Sequence, residues 1–360
     1  HPLTHRLARP NETAWGRYEA VSIVLVEVVT DSGLSGVGEA LSRFAPKAAV
    51  EVIESALTPR LLGQEATAIG ALWPAMSRAF SGRSGGVLME AISGVDIALW
   101  DILGKVAGLP IADLLGGVGR KAVPVYAASV NWADEGRADD EVDAFLARGF
   151  DAIKVKIAGP VDAACRRIER VRARAGNATL CADANWAFTL DDAIRVGDAL
   201  AAHGYIWFEE PLRPGDEAGY ALLAERTPVP LAAGESNFTL DQAKPLVSAR
   251  ALGVLQPNVT RAGGITEARR MAEFAHMNDV AFAPHVGMSG IVCEVASLHL
   301  AAAMPNTLML ECACAPNAFK ADLADIAPGY VRAENGVLSC PEGPGLGITI
   351  DWDKVAEMQP

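Results

Sequence analysis

Polar residues recur in this chain at the interval of one strand plus one helix, each at the C-terminal end of a short apolar run. Asp183 follows Lys156 by 27 residues, Glu209 follows after 26 more and Glu235 after another 26. The interval continues with 23 residues to Asn258, 27 to His285 and 26 to Glu311. Apolar runs at 123–130, 153–157, 180–184, 206–209, 231–233, 253–256, 281–283 and 308–310 read as eight strands. Between them lie helical stretches such as 139–148, 161–175, 190–203 and 265–277. Strands alternating with helices of this length argue a parallel sheet with right-handed crossovers. Eight of them argue closure into a barrel, where strand C-termini converge on one face and active sites sit.

The first third of the chain does not follow this interval. Residues 1–20 are polar and read as irregular. A strand is expected over 21–30, a hairpin turn at Asp31-Ser32-Gly33 and a return strand over 34–40. Amphipathic helices are expected over 45–61 and 66–80, a Gly/Ser loop over 81–86 and a long apolar helix over 87–106. This is an α+β unit. After Glu311 no regular helix is expected. Residues 315–360 are rich in Pro and Gly, end in a short strand at 346–350, and are expected to run back to the N-terminal unit. The expected division is a cap at 1–115, a barrel at 116–315 and a returning segment at 316–360.

The chain is 51% hydrophobic and 21% charged, enough for a sizeable core. Its net charge of −13 argues against nucleic acid or an anionic membrane surface as partner. An anionic substrate remains compatible, because a bound divalent cation inverts the local field. The six cysteines form no CxxC pair and no framework spacing, which fits reduced thiols in a cytoplasmic protein. No apolar run reaches the length of a membrane span, and no secretory leader is visible.

Side chains alternate faces along a strand, so Lys154 and Lys156 share a side, as do Asp183 and Asn185. Glu209 and Glu210 do not, and only one of them can face the barrel axis. Three carboxylates from successive strands, Asp183, Glu209 and Glu235, suit a hard octahedral cation, hence Mg2+; zinc would call for His or Cys. Lys156 is the candidate base: a second ammonium beside it disfavours its charged form and should lower its pKa. His285, on the seventh strand, is placed to act as an acid or a second base. Glu311, on the eighth, is placed to donate to or orient a substrate carboxylate. Alone, a Lys-x-Lys is usually a solvated strand edge and a Glu-Glu-Pro a loop start; their joint spacing is what argues function. Arg261, Asn131, Trp132 and Trp186 fall at rim positions where packing explains them as well as substrate contact does. Cys312 and Cys314 read as packing.

These motifs carry a resemblance. The helix at 93–117, KVKI at 154–157, ADAN at 182–185, WFEEP at 207–211, GES at 234–236, QPN at 256–258 with Gly-Gly at 263–264, Pro-His at 284–285 and GPGLGI at 343–348 together resemble the enolase superfamily, in its mandelate racemase/muconate-lactonizing branch. The likeness runs nearly end to end. It implies a modified (β/α)7β TIM-like barrel with an α+β capping domain. It also implies Mg2+ held by Asp183, Glu209 and Glu235, the first acid of Glu-Glu-Pro being the ligand. Lys156 would take a proton α to a carboxylate while Lys154 tunes it, and Mg2+ would stabilise the resulting enediolate. His285 and Glu311 match the mandelate racemase type. That type has Asp where this chain has Asn258. An Asn carbonyl could still accept from the imidazole but carries no charge, which weakens a two-base racemase.

The expected activity is therefore a Mg2+-dependent lyase that dehydrates an acid sugar (aldonate or aldarate) to a 2-keto-3-deoxy acid, with His285 assisting departure of the hydroxyl. The rival readings are a racemase, epimerase or cycloisomerase on a related carboxylate, and a barrel that only binds one. Asn185, Arg261 and Asn131 are candidate substrate contacts. Specificity would lie in residues 1–20 and the loop at 41–46, closing over the mouth. The resemblance suggests a homo-oligomer, a dimer or an octamer.

Overall fold

A computed structural model of the 360-residue chain describes every residue except 14–15, 83, 118–120, 131–134, 315–316, 321–322, 327–332, 334 and 359–360. Three antiparallel strands open the chain: β1 (Pro2–Thr13), β2 (Gly16–Val29) and β3 (Ser35–Ala40). β1 corrects the expectation that residues 1–20 are irregular. Its sequence lacks apolar alternation because it is an edge strand held by pairing, from Pro2 opposite Val24 to Thr13 opposite Gly16. Leu3 is its buried anchor, and Thr4 and Ser22 share a cross-strand hydrogen bond of 2.9 Å.

The helix expected at 45–61 is broken into Pro46–Val52, a π turn at Ile53–Leu57 and Thr58–Leu61. Pro59 has no N–H to continue the ladder. The turn before it widens so that Thr58 offers both its amide and its hydroxyl to the Ile53 carbonyl, the latter at 2.9 Å. The long helix Gly86–Ala107 packs on β3 through glycine: a Cβ on Gly38 would lie 1.8 Å from the Gly94 carbonyl oxygen.

The barrel strands are β4 (Ala122–Val130), β5 (Ala152–Lys156), β6 (Thr179–Asp183), β7 (Tyr205–Glu209), β8 (Leu231–Ala233), β9 (Val254–Leu255), β10 (Ala281–Phe282) and β11 (Leu310–Ala313). They are parallel and ordered β10-β9-β8-β7-β6-β5-β4-β11, and a bridge from Phe282 to Thr307 completes the ring. Seven helices alternate with them, from Glu135–Ala147 to Ile291–Ala303. This is the expected (β/α)7β arrangement with an N-terminal capping domain. The last strand begins two residues later than its apolar run suggested. Below the mouth the barrel is filled by small side chains around Tyr126 and Trp207, whose rings meet edge-on at 5.2 Å.

The C-terminal segment adds β12 (Ala324–Ile326), β13 (Val337–Ser339), antiparallel to β4, and β14 (Ile348–Ile350), antiparallel to β12. It also contains a six-residue helix, Trp352–Glu357, which corrects the expectation of none. Asp351 caps it by accepting from the Lys354 amide at 3.1 Å. The segment reaches the N-terminal unit where Leu346 donates to Asp101 at 2.9 Å and the rings of His1 and Trp352 lie 4.9 Å apart.

Cap and barrel are joined by buried polar contacts from the long helix. Asp96 accepts from the Thr266 amide at 3.0 Å and hydroxyl at 2.6 Å, and Ser93 accepts from the Gly263 amide at 2.9 Å. Burial raises the Asp96 carboxyl from 3.8 to about 7, so the folded chain keeps a proton that the unfolded chain releases above about pH 4. The stability this group contributes therefore falls as pH rises from about 4 to about 7 and is level above. Asp96→Asn cannot ionise. Its urea-unfolding free energy should be flatter than wild type between pH 5 and pH 8 by about 2–3 kcal/mol. Parallel curves would show that Asp96 does not hold that proton.

Candidate active site

The strand register brings the predicted residues together. Lys156 pairs with Asp183, and Asp183 with Glu209. Lys154 is buried, with its Nζ 2.8 Å from Glu209 Oε1, 3.3 Å from Glu311 Oε1, 3.6 Å from Asp183 Oδ2 and 5.5 Å from the centre of the Tyr126 ring. Burial opposes its charge, but Glu209, Glu311 and the other neighbours overrule it and hold the ammonium well above its ordinary range. Lys156 is the more open of the two, with 20% of its side chain exposed. It donates to Asp183 Oδ2, and to Asn185 Oδ1 at 2.8 Å. Asn185 lies just past the strand at φ 44°, a left-handed conformation that turns it back toward Lys156, and its backbone N–H donates to Asp183 Oδ1 at 2.8 Å.

Glu209 is inward-facing, as alternation requires. Its Oε2 accepts from Gln256 Nε2 at 3.0 Å and Trp207 Nε1 at 3.3 Å. Burial, then the charge of Asp183, raises its carboxyl to about 7. Glu210 is also buried, at 2% exposure, because its backbone leaves the strand at φ 43° and alternation no longer governs it. Its Oε2 is shielded from solvent and has no hydrogen-bond partner, and burial together with Glu235 pushes its carboxyl well up. Sequence reasoning gave no role to Gln256, which stands in the Gln-Pro-Asn motif at the end of the sixth barrel strand, and did not foresee the burial of Glu210.

On the other wall His285 Nε2 lies 2.7 Å from Glu235 Oε2 and 3.5 Å from Glu311 Oε2. Burial alone would raise Glu235; His285, Arg43 and Lys156 hold it well below its ordinary range. Glu311 is buried too, yet Lys154, His285 and the Val286 amide bring it down to about 2. It is an ionised acceptor and donates nothing: its Oε2 receives the amides of Val286 at 3.0 Å and Gly287 at 3.3 Å.

Asn258 contacts the ring with its amide nitrogen, 3.1 Å from His285 Nδ1, and its carbonyl does not accept from it. The orientation is forced by Thr260. Its amide, at 2.9 Å, and its hydroxyl, at 2.6 Å, both claim Asn258 Oδ1, and an N–H cannot donate to an NH2. Nδ1 of His285 is therefore an acceptor and Nε2 carries the hydrogen toward Glu235. Arg261 lies at the rim, its Nε 3.3 Å from Glu90 Oε1 and its guanidinium over Phe238 at 5.0 Å. Trp186 follows Asn185 at φ 63°. Asn131 and Trp132 lie outside the described residues.

The donor set has the character of a hard-metal site. Asp183, Glu209 and Glu235 offer only oxygen, from three successive strands, and like charges raise Glu209 in a way that a divalent cation would relieve. Among the described residues, no three acidic, His or Cys side chains are yet drawn around one point. Lys156 and His285 occupy oxygens that an ion would take. The chemistry of the set fits Mg2+.

The family described as "Mandelate racemase / muconate lactonizing enzyme, N-terminal domain" matches residues 2–116, and "Enolase C-terminal domain-like" matches 137–354. The chain belongs to the enolase superfamily, in its mandelate racemase/muconate lactonizing enzyme family. It is 35% identical over 375 residues to the D-galactarolactone cycloisomerase of Agrobacterium fabrum, covering 100% of this chain and 97% of that protein. It is 34% identical over 361 residues to the D-galactonate dehydratase of Ralstonia pickettii, covering 93% and 90%. Among solved structures, the 3,6-anhydro-D-galactonate cycloisomerase of Zobellia galactanivorans superposes with a TM-score of 0.89 at 30% identity, covering 99% of this chain and 97% of that one. A racemase of Streptomyces coelicolor A3(2) with bound magnesium gives 0.90 at 28%, covering 99% and 97%. This enolase-superfamily chain is an enzyme of lyase or isomerase type.

The tautomer of His285 can be read directly. Nitrogen-15 NMR of the imidazole should show Nε2 protonated and Nδ1 bare. Asn258→Asp, which can only accept, should reverse the pattern. An Nδ1–H ring in the wild type would refute the Thr260-imposed orientation.

Proposed function

We propose that this chain is a Mg2+-dependent enzyme that removes the proton α to the carboxylate of an acid sugar and then expels the β-substituent, yielding a 2-keto-3-deoxy acid. The observation that carries this reading is Lys156. Of the two mouth lysines it is the one open to a substrate, and it stands in register with Asp183 and near Glu235, which His285 contacts. The names of the relatives, D-galactonate dehydratase and D-galactarolactone cycloisomerase, support acid sugars as the substrate class. In this reading the cap is residues 1–115, the barrel 116–315 and the returning segment 316–360.

Asp183, Glu209 and Glu235 would hold the cation, which supplies positive charge where a carboxylate must bear a second negative one. Lys156, as the free amine, takes the α-proton, and Asn185 and Asp183 hold its nitrogen in place. Lys154, kept ionised by its three acids, leaves proton transfer to Lys156. Glu311 fixes the amides of Val286 and Gly287, and with them the loop that carries His285. His285 presents Nε2–H to the departing hydroxyl and gives it that proton, so that the hydroxyl leaves as water and the ring takes a proton back from solvent.

One observation favours a second reading, cycloisomerisation. A hydroxide leaves well only when it receives a proton. An imidazole whose Nδ1 already accepts from Asn258 is arranged to donate a hydrogen bond, and a leaving carboxylate from a lactone ring would need no more.

An NMR time course in D2O with Mg2+ and pooled aldonates, aldarates and their lactones separates these. Wild type should form a keto acid, and Lys156→Ala should lose at least about 100-fold of the rate. Deuterium exchange or an isomer without loss of water would move the assignment to the cycloisomerase or epimerase reading. No exchange and no product from any member of the pool would overturn it. Glu209→Gln should weaken Mg2+ binding, read by calorimetry, by at least about tenfold, and Glu210→Gln by much less. Equal losses would make the orphaned Glu210 carboxylate a ligand as well.

A further inference from the structure

Two arginines at the mouth are not used by this chemistry. Arg43 lies just after β3, where the Leu41 amide donates to the Thr260 carbonyl at 3.2 Å and so ties the cap to the loop after β9. Its Nη2 lies 3.4 Å from the point that a Cβ on Gly287 would occupy, and that point is 2.6 Å from His285 Cε1. The guanidinium and the His285 ring thus flank a glycine whose missing side chain leaves them room. Arg43 is half-buried. Its Nε is shielded from solvent without a hydrogen-bond partner, and it makes no ion pair among the described residues.

Arg261 is its neighbour. It too is half-buried, its Nε lacks a well-directed hydrogen bond, and burial together with the charge of Arg43 lowers its pKa. One carboxylate, Glu90, lies within ion-pair distance of Arg261, and burial raises that carboxyl. Glu235, the other acid near Arg43, is engaged by His285. A partly desolvated guanidinium without a partner is costly. The planar fork of arginine matches a carboxylate with two parallel hydrogen bonds. For Arg43, which makes no ion pair among the described residues, that cost is relieved by an anion that enters with the substrate.

We propose that Arg43 and Arg261 form a second anion subsite that receives a carboxylate at the far end of the substrate. The preferred class is then a dicarboxylic acid sugar, an aldarate or its lactone, over the aldonate of the same length. This rests on the proposed function, which sets the reacting carboxylate against Lys156 and the three acids. A chain spanning both ends carries two negative charges, one for each cluster of cations.

The test compares matched six-carbon pools, hexaric against hexonic acids, with the full-length Mg2+-loaded enzyme. Wild type should favour the diacid in kcat/KM by at least about tenfold. Arg43→Gln, which keeps the length and removes the charge, should cut the diacid-to-monoacid ratio by about 10- to 100-fold, mainly through KM for the diacid. Arg43→Lys should recover part of it. An unchanged ratio, or a wild type that prefers the monoacid, would overturn the subsite. Binding keeps the two proposals apart. Calorimetry of the same pools on Lys156→Ala, alone and combined with Arg43→Gln, reads the subsite without turnover. Loss of diacid affinity there supports the subsite even if wild type turns over neither pool, whereas equal affinity in both proteins removes it even if the reaction proceeds as proposed.

Discussion

The barrel mouth depends on one buried ammonium. Lys154 sits on β5 and reaches Glu209 on β7, Glu311 on β11 and Asp183 on β6, above the ring of Tyr126 on β4. A lysine buried without partners would lose its charge, and carboxylates buried without a cation would take up protons. Each makes the other tenable. The contact also fixes register, because side chains swap faces with every residue. A slip of one position in β5, β6, β7 or β11 would turn a charge of this set into the apolar layer between sheet and helices. Strand pairing and ion pairing therefore select the same alignment.

That coupling is why so much of the site was legible in the sequence. The interval from Lys156 to Glu311 encodes both the (β/α)7β fold and the convergence of its charges. Asp183, Glu209, Glu235 and His285 lie where one residue per strand end predicts. What was not legible has local causes. β1 is held by pairing with β2, and polar edge strands leave no alternation to read. The π turn before Pro59 is an accommodation that periodicity does not record. Glu210, Asn185 and Trp186 leave their strands in left-handed conformations; alternation set Asn185 on the side of Asp183 but gave no sign that Glu210 is buried. The direction of the Asn258 amide was set by a residue two positions on, since Thr260 claims its carbonyl twice.

This last detail gives the two walls of the mouth different characters. On one, Lys156 is held by oxygen acceptors alone, Asp183 and Asn185, which suits a nitrogen that must gain a proton. On the other, His285 is held between a donor at Nδ1 and the acceptor Glu235 at Nε2, which suits a ring that keeps its hydrogen and offers it. A carboxylate in place of Asn258 would accept from Nδ1–H and leave Nε2 bare, the arrangement of a base. The Asn258–Thr260 pair thus argues for proton removal from one face only.

In the proposed reading, recognition draws on the cap as well as on the barrel. The residues proposed for proton transfer and metal binding lie on β5–β8 and β10, locked by the Lys154 network. Arg43 comes from the cap, and its position follows from contacts of another kind. β3 lies against the long helix so closely that Gly38 and Gly94 cannot carry side chains, and that helix is pinned to the barrel through Asp96 and Ser93. The segment after β3 is placed over the mouth by rigid backbone packing. Its side chains contribute nothing to that packing at Gly38. A side chain can therefore change at position 43 without disturbing the glycine contact, although the Arg43 charge is one of those that hold Glu235 down, while a change at Lys154 would disturb every strand that meets there.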